Sequence, residues 1–226
     1  MKIDILTLFP EMFDGFLNTS IIKRARENGN VVINIHNFRD YSLDKHGRVD
    51  DYPYGGGAGM VLMCEPIFRA IEAIRTDDSL VIMLSPSGQV FSQKMAREFS
   101  LKKHLIFLCG HYEGFDERIK TIVDMELSIG DYVLTGGEVP SMVITDAITR
   151  LIPGVISSES LDSESFDDNL LDYPNYTRPE EFRGMRVPDV LLSGHHKNIE
   201  KYRRDEQIRL TNLNRKDLSG GDVNGE

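Results

Sequence analysis

The most constraining feature of the sequence is an alternation of short, continuously apolar segments with helix-like segments through the first 154 residues. A strand that is apolar on both sides must be covered on both faces, so this alternation predicts an α/β domain: a parallel sheet with helices on both faces. The apolar segments predict strands at Lys2–Leu8, Val31–Asn37, Leu80–Leu84, Leu105–Cys109 and Leu127–Ile129. The segments between them predict helices that include Glu65–Arg75, Ser92–Phe99, Asp116–Val123 and Pro140–Ile152.

Charge and cysteine content exclude several classes of protein. The 226 residues include 36 acids and 26 bases, and a net charge of −10 excludes a generally basic, nucleic-acid-coating protein. The longest apolar stretches are too short to span a membrane. Cys64 and Cys109 form no CxxC pair, which is typical of a reduced, cytoplasmic protein. We therefore expect a cytoplasmic protein that binds neither a membrane nor DNA.

The distribution of charge predicts three parts of the chain. Residues 155–177 hold six acids and no base, whereas residues 178–216 carry a net charge of +4. We expect an α/β domain over residues 1–156, a flexible acidic linker over 157–169, and a small, mostly helical domain over 170–226 that ends in a flexible tail from Leu218. The helical part of that last domain is expected to be a small bundle from Ser193 onwards.

Four glycine-rich or polar turns follow the predicted strands, at residues 54–59, 85–88, 110–114 and 130–138. Ligands of parallel α/β sheets bind beyond the carboxyl ends of the strands, and glycine lets the backbone approach a ligand closely. Each turn, taken alone, is explained equally well as an ordinary tight turn that binds no ligand. Three of them at strand ends together favour a ligand site. The sequence contains no GxxxxGK[ST], GxSxG or HExxH motif, and no GxGxxG motif after the first strand, which argues against the corresponding nucleotide, hydrolase and zinc sites.

Six motifs, in order along nearly the whole chain, resemble the bacterial tRNA (guanine-N1)-methyltransferase (TrmD) family, which belongs to the SPOUT class of S-adenosylmethionine-dependent methyltransferases. The string YEGFDER followed by SIGDYVLTGGE is the most specific part of this resemblance. The motifs are VDDYPYGGGAGM (49–60), GHYEGFDER (110–118), SIGDYVLTGGE (128–138), RLIPGV (150–155), LLDYPNYTRP (170–179) and LLSGHH (191–196).

The resemblance implies more than the pattern of strands and helices can. It implies a trefoil knot in the C-terminal part of the α/β domain, and a homodimer whose active site is shared between subunits. It implies S-adenosylmethionine as methyl donor and tRNA as substrate, methylated on guanine N1 at the anticodon-loop guanosine 3′-adjacent to the anticodon. The positions that match donor-binding positions of the family are Ser85, Pro86, Gly110, Tyr112, Glu113, Ile129, Gly130, Tyr132, Leu134, Gly136, Gly137 and Pro140.

The chemistry needs a general base, because guanine N1 carries a proton at neutral pH, and a cation for the charge that develops on the guanine carbonyl oxygen. The resemblance assigns the cation to Arg150, just before the IPG turn. The family has an aspartate before the Ser-Phe pair, whereas this chain has Glu164 there and Asp162 two residues earlier. Both carboxylates remain candidates. Glu164 is preferred because a general base must first lie within hydrogen-bond reach of the proton it removes, and its pKa matters only after that.

Further residues are candidates for contact with tRNA. Arg178 would hold either a phosphate or an internal carboxylate, and adjacent histidines diverge on a helix, so His195 and His196 are not expected to chelate one ion. The resemblance also suggests Mg²⁺ near Glu113 and the linker acid, although no metal-ligand spacing is present. The tRNA-contact candidates are Gly55, Gly56, Gly59, Asp172, Arg178, His195, His196, Lys197 and Arg203.

Three other functions remain alternatives at this point. An oxidoreductase would need a cofactor motif at the first turn, which is absent. An RNA-binding protein that kept the fold but lost the chemistry would be consistent with glutamate in place of aspartate at position 164. A SPOUT enzyme acting on ribosomal RNA would share the donor motifs, but LLDYPNYTRP and LLSGHH favour tRNA.

Overall fold

The computed structural model describes residues 1–157, 164–166 and 168–218. The chain divides into two compact units, residues 1–156 and residues 157–226. Among the helices of the described residues, none combines the length and the hydrophobicity that crossing a bilayer requires.

The first unit is built on a five-stranded parallel sheet, with strand order β2-β1-β6-β5-β7. This confirms the parallel sheet predicted from the apolar segments. Two further short strands, β3 and β4, pair antiparallel as a hairpin outside the sheet. The strands are β1 (Lys2–Thr7), β2 (Val32–Asn37), β3 (Asp50–Asp51), β4 (Val61–Leu62), β5 (Ser79–Val90), β6 (His104–Cys109) and β7 (Met125–Ser128).

Helices cover both faces of this sheet. The helix predicted over Asp116–Val123 is a 3-10 helix, Glu117–Ile122. It follows a tight turn in which the Asp116 side chain accepts a hydrogen bond from the Arg118 amide. Two other 3-10 helices span Pro10–Phe13 and Phe38–Tyr41. The α-helices of the unit are α1 (Asp14–Leu17), α2 (Ser20–Glu27), α3 (Cys64–Ile74), α4 (Gln93–Ser100) and α5 (Glu138–Thr149).

Two hydrophobic clusters bury the two faces of the sheet. On one face, residues such as Ile5 and Phe107 belong to the same cluster as Ile144 of α5. On the other face, residues such as Leu6 and Ile106 cluster with side chains of α3. Alternate residues of each central strand therefore enter different clusters, which is why these strands are continuously apolar in sequence.

Asp4 is the charged exception in the middle of β1, and its side chain is fully buried. Its carboxylate is 2.6 Å from Lys2 Nζ, 3.0 Å from His36 Nε2 and 2.6 Å from His104 Nε2, and it accepts a 2.7 Å hydrogen bond from Asn34. Burial alone would raise the pKa of Asp4, but these hydrogen bonds outweigh burial and hold the pKa well below its usual range.

Strand β5 is longer than the sequence predicts, because it continues through the turn expected at residues 85–88. Leu84 and Gln89 both pair with Leu127 of β7, so the four residues between them form a bulge. Gly88 lies so close to β7 that a Cβ atom there would overlap the backbone of Leu127. The bulge directs Ser85 and Pro86 toward the carboxyl edge of the sheet.

The second unit contains a two-stranded antiparallel hairpin, β8 (Glu181–Phe182) and β9 (Met185–Arg186), followed by helices α6 (Asp189–Leu192) and α7 (His196–Asn214). Its described residues therefore contain one long helix and one single-turn helix rather than the expected bundle. The Leu171 amide donates a 2.8 Å hydrogen bond to the buried hydroxyl of Thr211, which fixes this part of the chain to α7. Most of the expected linker and the expected tail, 158–163, 167 and 219–226, lie outside the described residues.

Candidate active site

A cavity of about 390 Å³ lies at the carboxyl edge of the sheet, beside the bulge of β5 and the ends of β6 and β7. Its volume is within the range of small-molecule sites in proteins. The structure brings together in its walls all twelve residues that were matched to donor-binding positions: Ser85, Pro86, Gly110, Tyr112, Glu113, Ile129, Gly130, Tyr132, Leu134, Gly136, Gly137 and Pro140.

Glycines allow the loops around this cavity to pack backbone against backbone. The Gly137 amide donates a 2.8 Å hydrogen bond to the Gly110 carbonyl, and a Cβ atom on Gly137 would lie 2.6 Å from Cys109 Cα. Gly130 adopts φ +142°, a conformation that L side chains rarely adopt, and it lies against the Tyr132 ring. These constraints explain why glycine occupies positions 130 and 137.

The glycine-rich hairpin tip, residues 52–60, is attached to the edge of the cavity. The Glu113 amide donates to the Met60 carbonyl at 3.0 Å, and the Leu62 amide donates to the Gly114 carbonyl at 2.9 Å. Gly59 adopts φ +86°, which favours glycine, and a Cβ atom there would overlap the flexible Glu113 side chain. Gly59 therefore contacts a cavity residue. Gly55 and Gly56, the two other candidates for tRNA contact in this loop, are exposed and have open space around them.

A network of charges crosses one side of the cavity, and the sequence analysis did not identify it. Lys120 Nζ lies 3.0 Å from Glu117 Oε1 and 3.3 Å from Glu126 Oε1. Ser87 Oγ donates a 2.9 Å hydrogen bond to Glu126 Oε2, and the Ser85 and Ser87 hydroxyls are 2.7 Å apart. The hydrogen bonds with Glu117 and Glu126 raise the pKa of Lys120, so the lysine is charged at neutral pH. The network links the β5 bulge to the 3-10 helix that carries Lys120.

His111 is a second cavity residue that the sequence analysis missed, although it stands inside the GHYEGFDER motif. Its ring centroid lies 4.8 Å from that of Phe9 and 5.0 Å from that of Tyr112. Its Nδ1 atom is buried and has no hydrogen-bond partner among the described residues. A buried polar atom without a partner is costly, so Nδ1 is a suitable contact for a polar group of a bound ligand.

The proposed catalytic side chains lie in both units. Arg150 is the half-buried residue at the C-terminal cap of α5, in the first unit. Glu164 is half-buried and belongs to the second unit, while Asp162 lies outside the described residues. The choice between the two carboxylates therefore stays a prediction.

The candidates for tRNA contact in the second unit occupy different positions. Arg178 and Arg203 line one cavity of about 470 Å³. His195 is the N-cap residue of α7, followed by exposed His196 and Lys197, and none of these three lines that cavity. Asp172 is half-buried, and its backbone amide donates a 3.0 Å hydrogen bond to Ser165 Oγ.

No group of three or more histidine, cysteine, aspartate or glutamate side chains that could hold a metal ion occurs within residues 1–157, 164–166 and 168–218. Glu113 and Glu117 both line the donor cavity. Mg²⁺ is usually held by one or two carboxylates together with water and substrate oxygens, so its binding near Glu113 and the linker acid stays a prediction.

Known proteins that are similar to this chain share one name. A family model described as tRNA (Guanine-1)-methyltransferase TrmD matches residues 1–221. A tRNA (guanine-N(1)-)-methyltransferase of Ureaplasma urealyticum is 62% identical over 219 residues, which cover 96% of each chain. A protein with the same name from Carboxydothermus hydrogenoformans is 60% identical to this chain, over 96% of this chain and 87% of its own length. Another from Staphylococcus aureus strain Newman is 58% identical, over 96% of this chain and 90% of its own length.

Proposed function

The chain belongs to the tRNA (guanine-1)-methyltransferase family, and from this premise we propose that it transfers the methyl group of S-adenosylmethionine to N1 of a tRNA guanine, at the anticodon-loop guanosine 3′-adjacent to the anticodon. The observation that carries the proposal is the cavity at the carboxyl edge of the sheet, which gathers all twelve expected donor-binding residues in one place. We also propose that this reaction takes place in the cytoplasm.

Several features of the cavity fit the methyl donor. Its volume suits a nucleoside-sized ligand, and glycine-lined loops give a ligand access to backbone amides and carbonyls. The unpartnered Nδ1 atom of His111 offers a polar contact. When bound, the donor supplies a methyl carbon that its sulfonium has already activated for attack.

The protein's own side chains supply the remaining chemistry. Guanine N1 must lose its proton to attack, and the proposed base is Glu164, with Asp162 as the alternative. Loss of that proton moves negative charge onto the guanine carbonyl oxygen, and the proposed partner of this charge is Arg150, whose guanidinium stays positive at all physiological pH values. The proposed chemistry assigns no step to Mg²⁺.

The two compact units support a division of labour. In this proposal the first unit, residues 1–156, binds the donor, the acidic segment 157–169 supplies the base, and residues 170–226 bind tRNA. The base and the donor cavity therefore belong to different units of the chain.

A homodimer is part of the proposal, and an exposed apolar surface supports it. Val133 is 89% exposed, next to the donor cavity, and Val139 and Val143 are exposed one turn apart on α5. Exposed apolar patches commonly mark interaction surfaces. Sedimentation analysis should give a dimer mass for the wild type and a monomer for Val143→Asp; a monomeric wild type would refute this part of the proposal.

A trefoil knot in the first unit is also part of the proposal. The bulge in β5 and the close approach of Gly88 to the backbone of β7 support this part of the proposal, because a knot needs chain segments packed tightly against one another. Stretching single molecules by their termini should give an extended length shorter than that of an unknotted chain of 226 residues. The full length would contradict a knot.

The activity can be tested by incubating the protein with methyl-labelled S-adenosylmethionine and an in vitro transcribed tRNA. We expect label in tRNA that carries guanosine at the target position and none in the tRNA with adenosine there. Equal labelling of both transcripts would place the target elsewhere, and label in ribosomal RNA alone would favour the alternative SPOUT activity.

A further inference from the structure

The second unit contains its own cavity of about 470 Å³, between the segment 173–180 and helix α7. Its apolar lining includes Val187, Leu191 and Ile199, which are half-buried. Aromatic rings and guanidinium groups line the rest of it, from Tyr173, Tyr176, Arg178 and Arg203. An apolar floor with aromatic and cationic groups around it suits a planar, anionic ligand.

The two arginines of this cavity differ from most arginines of the unit. Four of the seven arginines in the unit form ion pairs: Arg186 with Glu180, Arg204 with Asp168, Arg209 with Glu206 and Arg215 with Asp217. Arg178 and Arg203 have no carboxylate within 4.0 Å in the part of the chain that the structure describes. Their charges are therefore available to an external anion.

The positions of the neighbouring groups strengthen this contrast. The Arg203 guanidinium lies over the Tyr173 ring, 4.7 Å from its centroid, which orients the guanidinium without neutralising it. Glu180 also lines the cavity, but its carboxylate is 3.0 Å from Arg186, so its charge is already compensated. The Tyr176 ring is 48% exposed and leaves a face on which a base can stack.

We propose that this cavity binds one unstacked nucleotide of the tRNA substrate, with the base on the apolar floor beside Tyr176 and its phosphate between Arg178 and Arg203. The inference rests on the proposed function, because it takes tRNA as the substrate. Unpaired bases of RNA loops are recognised by stacking on aromatic side chains, and phosphates by arginine. The site adds affinity for tRNA and takes no part in donor binding.

The test measures the affinity of the full-length protein for an in vitro transcribed tRNA as a function of salt concentration. Arg203→Met and Arg178→Met should each weaken binding about tenfold and make the dependence of log K on log[salt] shallower by about one unit, as expected for one lost phosphate contact. Tyr176→Ala should weaken binding about tenfold through lost stacking and leave the salt dependence unchanged. S-adenosylmethionine binding should stay at the wild-type value in all three variants.

Arg209→Met is the matched control, because it removes the same charge from the same helix, but from a guanidinium that is paired with Glu206 and does not line the cavity. We expect its tRNA affinity to stay within twofold of the wild type. The inference is overturned if Arg203→Met and Arg178→Met bind as the wild type does, or if they lose no more affinity than Arg209→Met. Failure of the proposed function would look different, since the wild type itself would then not methylate tRNA.

Discussion

The amide of Gly137 donates a 2.8 Å hydrogen bond to the carbonyl of Gly110, which joins the start of α5 to the loop after β6 at the donor cavity. Gly137 has φ −84°, so its backbone conformation is open to any residue. The constraint is steric, because a Cβ atom would lie 2.6 Å from Cys109 Cα and 2.9 Å from the Gly110 nitrogen. The geometry of the cavity thus depends on the absence of a Cβ atom at position 137.

Gly137→Ala is the substitution that tests this contact. The added methyl group must push α5 away from β6, so we expect at least a tenfold loss of S-adenosylmethionine affinity and a free energy of unfolding lower by about 2 kcal/mol. Calorimetric titration and urea unfolding measure the two effects. Gly15→Ala is the control, since Gly15 lies in α1 with no atom within 4 Å of the added Cβ and should keep wild-type affinity. Wild-type donor binding by Gly137→Ala would contradict the steric argument.

The network around Lys120 leads to a prediction about donor affinity. Glu126→Gln removes the ion pair with Lys120 and weakens the hydrogen bond from Ser87, which loosens the β5 bulge beside the cavity. Since these groups are partly exposed, we expect a modest effect: about threefold weaker donor binding with turnover at saturation unchanged. Steady-state kinetics separate the two quantities.

Glu65→Gln is a suitable comparison for this network, because it breaks an exposed ion pair with Arg69 within α3 and no cavity residue is involved. It should leave the donor KM unchanged. A lower turnover number in Glu126→Gln without a change in donor KM would show that the network acts on a different step.

The identity of the general base gives a third prediction. Glu164→Gln keeps the size of the side chain but cannot accept the guanine proton, so turnover should fall about a hundredfold or more while donor affinity is retained. Asp162→Asn should leave turnover near the wild-type value. Single-turnover methylation with saturating tRNA measures the chemical step. The opposite pattern, with Asp162→Asn inactive and Glu164→Gln active, would transfer the role to Asp162.

The buried Asp4 predicts how stability depends on pH. Because its hydrogen bonds hold its pKa in the folded protein below the ordinary value of about 4, its ionised form stabilises the fold above about pH 4, and this stabilisation is lost as the pH falls below that value. Asp4→Asn should cost about 2 kcal/mol at pH 7, the contribution of hydrogen bonds to a charged group. Urea unfolding at pH 7 and below pH 4 measures this difference.

The difference between wild type and Asp4→Asn should shrink below pH 4, because the Asp4 carboxyl group of the unfolded wild-type chain then takes up a proton while the folded protein keeps it ionised. Lys2, His36, His104 and Asn34 surround position 4 in both proteins, but only the wild type presents a carboxylate to them. A difference that stays constant between pH 3 and pH 7 would mean that Asp4 contributes through packing rather than charge.

The sheet could be predicted from sequence because strands buried on both faces are continuously apolar, as Leu105–Cys109 illustrates. The extension of β5 could not, because it depends on Leu84 and Gln89 sharing one partner, Leu127, about 40 residues further along the chain. No local pattern encodes such a pairing. The helix predicted at Asp116–Val123 is a 3-10 helix, Glu117–Ile122, and a segment this short has too few residues for its hydrophobic period to distinguish a 3-10 helix from an α-helix.

The donor cavity could be anticipated because its glycines are clustered in recognisable motifs. Lys120 and His111 were missed for a different reason: nothing in the local sequence distinguishes a surface lysine from one that meets Glu126, or a loop histidine from one with a buried, unpartnered nitrogen. Arg178 and Arg203 were each expected to contact tRNA, but their convergence on one cavity depends on how residues 173–180 pack beside α7.

Nucleoside analysis of the reaction product tests the central claim most directly. After incubation of the wild-type protein with S-adenosylmethionine and a tRNA carrying guanosine 3′-adjacent to the anticodon, digestion and mass spectrometry should find one 1-methylguanosine per tRNA, located at that position. Gly137→Ala should yield far less under the same conditions. Methyl groups on another atom or another nucleotide, or none at all with the wild type, would contradict the account.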